Sequence, residues 1–337
     1  MTDLDIQTLV APFDAPHRYF RTMHKRIANF GMELEVMRQG DFSDGEHEEE
    51  CYCDESCCQG YRYCSNERSE GALALVEILV DAGLIVSEEQ CAYHCSCQEC
   101  RHDRDPESST YLAFQQDCTV GAEFVSRITD VNQDAYHMRA VGTTVQAFQE
   151  WYRQGHWRPD GHQPAGGHIH VSWNGTDHGG PRFRNATRRQ ASALVNAAYA
   201  TFDWSDVADG ACGRMRSYNS KPSPTNYVCG REGGSDYERS FYGSWASNKG
   251  ATLEHRLWNM PADPDRLYAH IGISLALTRW AFAAVLQSPQ HRWWTADTSP
   301  ADMVVHFGAN REAFIEQVAL YLPPTCPGAF EVLSRLA

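Results

Sequence analysis

Four short segments of this chain alternate apolar and polar residues with the period of a β-strand, and their polar positions carry glutamate, histidine and arginine. One such strand is ordinarily half buried, with its polar side in water. A solvent-facing side usually mixes lysine, threonine, serine and glutamine, however, and these polar faces contain no lysine. The recurrence therefore favours a shared cation site. The segments are FGMELEVMR from Phe30, VGAEFVSRI from Val120, GHIHVSW from Gly167 and ATLEHRLW from Ala251.

Because side chains alternate along a strand, this period assigns each residue to one of two faces. The apolar face receives Phe30, Met32, Leu34, Val36, Val120, Ala122, Phe124, Ile169, Val171, Trp173, Leu253, His255 and Leu257. The polar face receives Glu33, Glu35, Glu123, His168, His170, Ser172, Thr252, Glu254, Arg256 and Trp258. If these glutamates meet, repulsion raises their pKa values unless cations neutralise them. Oxygen ligands with one imidazole suit Mg²⁺ or Mn²⁺ better than Zn²⁺.

The charge balance limits the partners. The chain of 337 residues has 29 lysines and arginines against 44 aspartates and glutamates, a formal charge of −15. This balance disfavours a phosphate-neutralising surface, so we expect no nucleic-acid partner. The N-terminal sequence has no basic region followed by an apolar one, and no segment approaches the run of about 18 apolar residues that spans a bilayer. We expect no membrane partner and a cytoplasmic location.

Helical periodicity marks the segments between these strands. The pattern over residues 69–82 predicts a helix that Ser69 caps and Gly83 ends. A second helix is expected to begin at Thr143 or Thr144. No internal repeat or linker divides the chain, so we predict one α+β domain over 1–337 with a cysteine-rich insertion at 44–104. Two further apolar stripes predict core helices, at 191–202 and 267–285.

The cysteines are concentrated in one part of the chain. Of 13 cysteines, nine fall between residues 51 and 100, and without a secretory leader this crowding favours metal over disulfides. The two clusters flank one helix-and-strand excursion, so a chain that doubles back brings thiolates together in one or two tetrahedral zinc sites. Reduced thiols and disulfides are the alternatives, and no ligand quartet can be deduced. The candidates are Cys51, Cys53, Cys57, Cys58, Cys64, Cys91, Cys95, Cys97 and Cys100.

The motif order resembles a known family. In sequence, GMELE, DCTVGAEFVS, GGHIHVSW and ATLEHRLWNMPADPDRLYAHIGISLAL look like the motifs of the amidoligases, distant relatives of glutamine synthetase among the carboxylate-amine ligases. The matches run from Phe30 to Leu277 and leave residues 40–115 uncovered. His255 stands where a phenylalanine commonly separates the two charges. The resemblance implies a curved antiparallel sheet like that of glutamine synthetase, with helices packed on its outer face.

The resemblance also implies a reaction and a set of cofactors. Such ligases transfer the γ-phosphoryl group of ATP to a carboxylate and let an amine displace phosphate, which depends on positioning and charge neutralisation. Glu33, His168 and Glu254 would hold the metal that bridges the ATP phosphates. Glu35 and Glu123 would hold an ion near the acceptor carboxylate. The expected cofactors are ATP, Mg²⁺ or Mn²⁺, and structural Zn²⁺, and the expected partners are a carboxylate and an amine, as small molecules or peptides.

Basic and amide side chains complete the implied site. Arg256 would meet the transferring phosphoryl group, and Arg239 is a second candidate for nucleotide phosphate. Arg214 and Arg216 would clamp a substrate carboxylate, although an ordinary surface role fits them equally well. The remaining candidates for nucleotide contact are His170, which would otherwise orient a ligand or serve a structural role, Asn248 and Lys249.

Two other functions fit the same residues. A non-catalytic, zinc-stabilised interaction module would keep the fold without the chemistry. A metal-dependent amidase or peptidase would use the histidines and glutamates to serve a catalytic water, although the chain has no H-E-x-x-H motif. The sequence identifies neither the acid, the amine nor the oligomeric state.

Overall fold

In the part of the chain that the structure describes, an open antiparallel sheet of seven strands, accompanied by helices, gives an α+β fold, as predicted. The clustered cysteines lie outside the described residues, so the zinc sites stay a prediction. The structure is a computed structural model that describes residues 17–36, 70–85, 111–115, 122–154, 167–173, 188, 191–192, 194–199, 201–202, 204, 246–248, 251–258, 266–287 and 311–336.

The strands pair in an order that differs from their order along the chain. They are β1 Asn29–Val36, β2 Leu112–Gln115, β3 Ala122–Ser126, β4 Thr129–Asp130, β5 Gly167–Ser172, β6 Ala246–Asn248 and β7 Thr252–His255. The hydrogen-bonded order is β2, β3, β1, β5, β7, β6, and β4 pairs with β1. Every pairing is antiparallel. The strands β1, β5 and β7, which carry most of the predicted polar residues, are therefore neighbours.

Helices cover one side of this sheet. The continuous helices among the described residues are α1 His17–Arg26, α2 Glu70–Asp81, α3 Ala135–Arg153, α4 Arg266–Gln287, α5 Arg311–Ala319 and α6 Ala329–Ser334. Further helical residues lie between 191 and 201. Phe148 of α3 packs edge-on against Phe124 of β3, and Phe282 of α4 packs against Trp173. The face that these helices cover is the predicted apolar one.

Burial confirms the predicted alternation in the central strands. Phe30, Met32 and Leu34 of β1 are at most 1% exposed, and Ile169 and Val171 of β5 are fully buried. A side chain of this size gains about 1.5–3 kcal/mol from full burial. The apolar face is thus a continuous core, and the opposite face is left for the polar residues.

The end of α2 follows the predicted glycine stop. Gly83 has a φ of 70°, a left-handed conformation that glycine adopts without steric cost. The Gly83 amide donates to the Val80 carbonyl and the Leu84 amide donates to the Leu79 carbonyl, the two bonds of a Schellman motif. This part of the prediction is confirmed, while Ser69 lies outside the described residues.

The predicted start of α3 is wrong. The helix begins at Ala135, and Asp134 caps it by accepting a hydrogen bond from the His137 amide. Thr143 and Thr144 lie inside the helix, where their hydroxyls donate to carbonyls one turn earlier. An aspartate at the N-cap satisfies a free amide and suits the positive end of the helix dipole, so the earlier residue forms the cap.

One described helix contradicts the expectation that no segment approaches the apolar length needed to span a bilayer. Residues 266–286 of α4 are long and apolar enough to cross a membrane by length and composition. In the folded chain, 94% of the 18-residue stretch of this helix that meets the membrane criterion is buried inside the protein. The segment is consequently the core helix that the stripe over 267–285 predicted, although its composition does approach that of a membrane span.

The predicted face of Trp258 is also wrong. The strand β7 ends at His255, so the alternation does not continue through the next three residues. The Trp258 ring stacks on His270 of α4, with ring centroids 4.5 Å apart, and its indole N–H donates to Ser274. Trp258 therefore lies in the core with His255, on the side opposite Glu254.

Candidate metal centre

Three adjacent strands bring the predicted polar residues into one cluster. Glu33 of β1 lies opposite His168 of β5, and His170 of β5 lies opposite Glu254 of β7. Residues directly opposite each other in an antiparallel pair have their side chains on the same face, with Cβ atoms about 4.5–5.5 Å apart. Backbone pairing thus gathers side chains from three distant parts of the sequence.

His168 lies at the centre of this cluster. Its Nδ1 donates to Oε2 of Glu33 over 3.2 Å and lies 3.6 Å from Oε1 of Glu254. Its Nε2 lies 3.6 Å from Oε1 of Glu35. The His168 side chain is only 3% exposed. The imidazole therefore connects carboxylates of β1 and β7 in a region that water hardly reaches.

His170 lies closer to the surface. Its Nε2 is 3.0 Å from Oε1 of Glu33 and 3.9 Å from Oε1 of Glu254, and the side chain is 21% exposed. Donor atoms of Glu33, His170 and Glu254 all lie within 4.8 Å of one another. Among the described residues, the geometry groups His170 with these two glutamates as a candidate ligand set. The resemblance implied His168 in that position.

A second acidic pair lies beside the first. Glu35 of β1 and Glu123 of β3 are directly opposite in register and are 8% and 6% exposed. Like charges in this position destabilise a sheet, and buried carboxylates are costly unless positive groups or hydrogen bonds compensate. His168 approaches Glu35 and supplies part of this compensation. A cation between the two strands would supply more.

Arg256 adds a fixed positive charge to the cluster. Its Nη1 donates to Oε1 of Glu254 over 2.7 Å, and the two side chains are 7% and 2% exposed. A charge-assisted hydrogen bond of this kind is stronger than a neutral one. The guanidinium is therefore held at the cluster, although Arg256 follows the last residue of β7.

The surroundings of Glu33 favour its ionised form. Burial by itself raises the pKa of Glu33, but the hydrogen bond from His168 and the adjacent His170 outweigh burial and hold the pKa well below its ordinary value. We expected repulsion among the glutamates to raise their pKa values. For Glu33 the direction is the opposite because two imidazoles face it. An ionised carboxylate is the form that binds metal.

The donor set can be compared with the needs of a divalent cation. Mg²⁺ binds oxygen at about 2.0–2.1 Å, so two ligands of one ion lie at most about 4.2 Å apart. Small side-chain rotations would close the 4.8 Å spread of Glu33, His170 and Glu254 to that value. Nε2 of His168 is buried and makes no hydrogen bond within the described part of the chain. Two carboxylates and an imidazole fit Mg²⁺ or Mn²⁺.

The other predicted site residues have different outcomes. Asn248 ends β6, where the register places it opposite Leu253, and Ser247 is the residue opposite Glu254. The sequence did not indicate Ser247, because a strand of three residues is too short to show alternation. Four predicted residues lie outside the described ranges: Arg214, Arg216, Arg239 and Lys249.

A cavity of about 620 Å³ lies in another part of the protein. It is formed by α3, Tyr268 of α4 and Thr325, and Arg139 is the residue of its lining with a formal charge. None of the carboxylates or imidazoles of the cluster lines this cavity. Among the described residues, the group of carboxylates and imidazoles whose donor atoms lie close enough to hold one metal ion is in the cluster, on three strands of the central sheet.

The chemistry of the cluster allows a cation and an anion to bind side by side. Glu33, His170 and Glu254 supply donors for the cation, and the guanidinium next to them supplies a fixed positive charge. This combination suits a phosphate-containing ligand, whose charge the metal and the guanidinium would share. No protein-family model, curated protein or solved structure matches the chain.

Proposed function

We propose that this protein is an ATP-dependent carboxylate-amine ligase, an amidoligase that forms an amide through an acyl phosphate. The observation that carries the proposal is the convergence of Glu33, His170 and Glu254 from three adjacent strands, with Arg256 hydrogen-bonded to Glu254. The order of the motifs, which resembles that of the amidoligases, supports it. The proposal includes a curved sheet like that of glutamine synthetase and a zinc-binding insertion at 44–104.

The proposed reaction has two steps. A carboxylate oxygen of the acid attacks the γ-phosphorus of ATP, and ADP leaves. The amine then attacks the acyl carbon, inorganic phosphate leaves, and the nitrogen loses a proton to solvent. Both steps redistribute negative charge over phosphoryl oxygens, so the enzyme must chiefly position its substrates and neutralise charge.

The residues of the cluster divide this task. A divalent cation held by Glu33, His170 and Glu254 would carry part of the phosphate charge. Arg256 would contact the transferred phosphoryl group through its fixed guanidinium. Glu35 and Glu123 would hold a second cation near the acceptor carboxylate. The buried imidazole of His168 contacts glutamates at both positions and would keep their orientations fixed.

The proposal is tested by calorimetric titration with a non-hydrolysable ATP analogue in the presence of Mg²⁺. The double variant Glu33→Gln with Glu254→Gln removes two negative charges from the proposed ligand set while keeping the shape of the side chains. The matched control is Glu77→Gln with Glu312→Gln, which changes two exposed glutamates on α2 and α5. We expect wild type and control to bind the analogue only with Mg²⁺ and the site variant to lose binding.

Each result has a defined meaning. Loss of binding in the folded site variant alone supports the nucleotide site, and phosphate release that requires an acid and an amine would then identify the reaction. A folded wild type that binds no analogue with Mg²⁺ would overturn the ligase and favour the interaction module. Amide hydrolysis without ATP would instead indicate the metal-dependent amidase or peptidase.

A further inference from the structure

His255 forms a buried polar network on the core side of β7. It is fully buried, although its immediate neighbours Glu254 and Arg256 belong to the cluster on the other side of the sheet. Its Nδ1 lies 2.7 Å from the Tyr199 hydroxyl, and its Nε2 lies 2.8 Å from the Thr278 hydroxyl of α4. Both ring nitrogens therefore have partners on helical segments.

The neighbouring hydrogen bonds fix the direction of this network. The Thr278 hydroxyl donates its hydrogen to the Ser274 carbonyl over 2.8 Å. It must then accept from Nε2–H of His255, which leaves Nδ1 to accept from the Tyr199 hydroxyl. Only one neutral tautomer satisfies all of these bonds. The ring is thereby held in one orientation.

A second link connects the same stretch of chain to the same helix. The Trp258 indole donates to the Ser274 hydroxyl over 2.7 Å, one turn from Thr278 on α4. The Trp258 carbonyl accepts from the Gly167 amide, and Gly167 directly precedes His168. The hydrogen bonds of His255 and Trp258 thus anchor the chain on either side of Arg256. Trp258 also connects this stretch to the first residue of β5.

The chemistry of this network favours positioning over stability. An apolar side chain at 255 would be buried without needing any polar partner, and a satisfied buried hydrogen bond adds little net stability over it. A polar network instead fixes the position of β7 relative to α4, because a shift of β7 along or away from α4 would break two hydrogen bonds at once. The residues that such a shift would displace are Glu254 and Arg256.

We propose that His255 is a positioning residue, which ties β7 to Tyr199 and Thr278 so that Glu254 and Arg256 meet the ligands from β1 and β5. This inference rests on the cation site of the proposed function. It assigns no contact with metal or substrate to His255. Its effect on the site passes through the backbone of β7.

The test is the affinity of the full-length protein for Mn²⁺, measured from the electron paramagnetic resonance signal of free Mn²⁺. His255→Leu removes both hydrogen bonds, whereas His255→Gln keeps one donor and one acceptor. Leu253→Ala is the matched control, because it removes a fully buried side chain from the same side of β7 without touching the network. Thr278→Val, which removes one partner at nearly constant volume, provides the same test if His255→Leu does not fold.

We expect about tenfold weaker Mn²⁺ binding in His255→Leu, and weaker binding in Thr278→Val, with affinity near that of wild type in His255→Gln and Leu253→Ala. Two outcomes would overturn the positioning role and leave the proposed cation site standing. In the first, His255→Leu and Leu253→Ala weaken Mn²⁺ binding equally. In the second, a folded His255→Leu or Thr278→Val binds Mn²⁺ as tightly as wild type. A folded wild type that binds no Mn²⁺ would overturn the cation site and the positioning role together.

Discussion

The two faces of the central sheet treat polar groups in opposite ways. On the core face, the polar side chain of His255 is fully buried and hydrogen-bonded at both nitrogens, and burial lowers its pKa. On the other face, Glu35 and Glu123 lie directly opposite each other, and Glu33 and Glu254 share the same two histidines. The core face thus buries a polar group that has hydrogen-bond partners, as a stable fold requires. The cluster instead brings like charges together, which destabilises a sheet. This difference is the reason for proposing that the cluster binds a cation.

The largest expected effect comes from the core face. Phe30→Ala removes a ring that is 1% exposed from β1, and we expect it to lower the free energy of unfolding by about 3–5 kcal/mol. Glu35→Gln, on the opposite face of the same strand, should change that free energy by less than about 1 kcal/mol. Urea denaturation measures both. Similar losses in the two variants would break the distinction between the faces.

Arg256 should matter for catalysis more than for folding. We expect Arg256→Gln to lower the rate of the proposed ATP-dependent amide formation by about 10²–10³-fold, because the proposed donor to the transferred phosphoryl group is lost. Mn²⁺ affinity should stay equal or become tighter, since Glu254 loses a competing positive charge. Steady-state kinetics and Mn²⁺ titration test this, with the exposed Arg335→Gln as control. An undiminished rate would exclude Arg256 from the reaction.

The pH dependence of stability should separate the faces. Burial, with a smaller effect of His170, lowers the pKa of His255 from 6.5 to about 3, so the unfolded chain binds this proton first. The contribution of neutral His255 to the free energy of unfolding is therefore complete above pH 6.5. Below pH 6.5 this contribution falls by up to about 1.4 kcal/mol per pH unit. The pKa of Glu33 is also lowered, so its contribution is complete above pH 4.5 and is lost only below that value.

Urea denaturation of wild type, His255→Gln and Glu33→Gln between pH 7 and the onset of acid unfolding measures these contributions. We expect His255→Gln to have a shallower pH dependence from about pH 6.5 downward. Glu33→Gln should run parallel to wild type until about pH 4.5. Parallel curves for wild type and His255→Gln would show that burial does not keep this imidazole neutral.

The smallest expected effect concerns the acidic pair. Glu123→Gln should raise the free energy of unfolding of the metal-free protein by about 0.2–1 kcal/mol, because it removes a like charge opposite Glu35. Added Mn²⁺ should stabilise wild type more than this variant. Thermal unfolding with and without Mn²⁺ measures both, with Glu312→Gln as a surface control. Destabilisation of the metal-free variant would show that the pair is already compensated.

Local sequence signals predicted the elements that depend on neighbouring residues. The alternation in β1 and β5 and the glycine stop at Gly83 are confirmed, because each depends on backbone geometry over a few residues. The predicted start of α3 is wrong because both Asp134 and Thr143 are of residue types that cap helices, and the local sequence does not show which of them forms the cap. Trp258 was misassigned because alternation holds only as far as the strand continues.

The sequence by itself determined which side chains of β1 and β5 share the polar face, because the period of a strand is fixed by backbone stereochemistry. It could not choose between His168 and His170, which alternation places on the same face. The tertiary structure decided that His168 lies buried between the carboxylates and that His170 approaches Glu33 and Glu254 from nearer the surface. Depth and distance depend on the register of β1, β5 and β7, and register is set by packing between residues far apart in the chain.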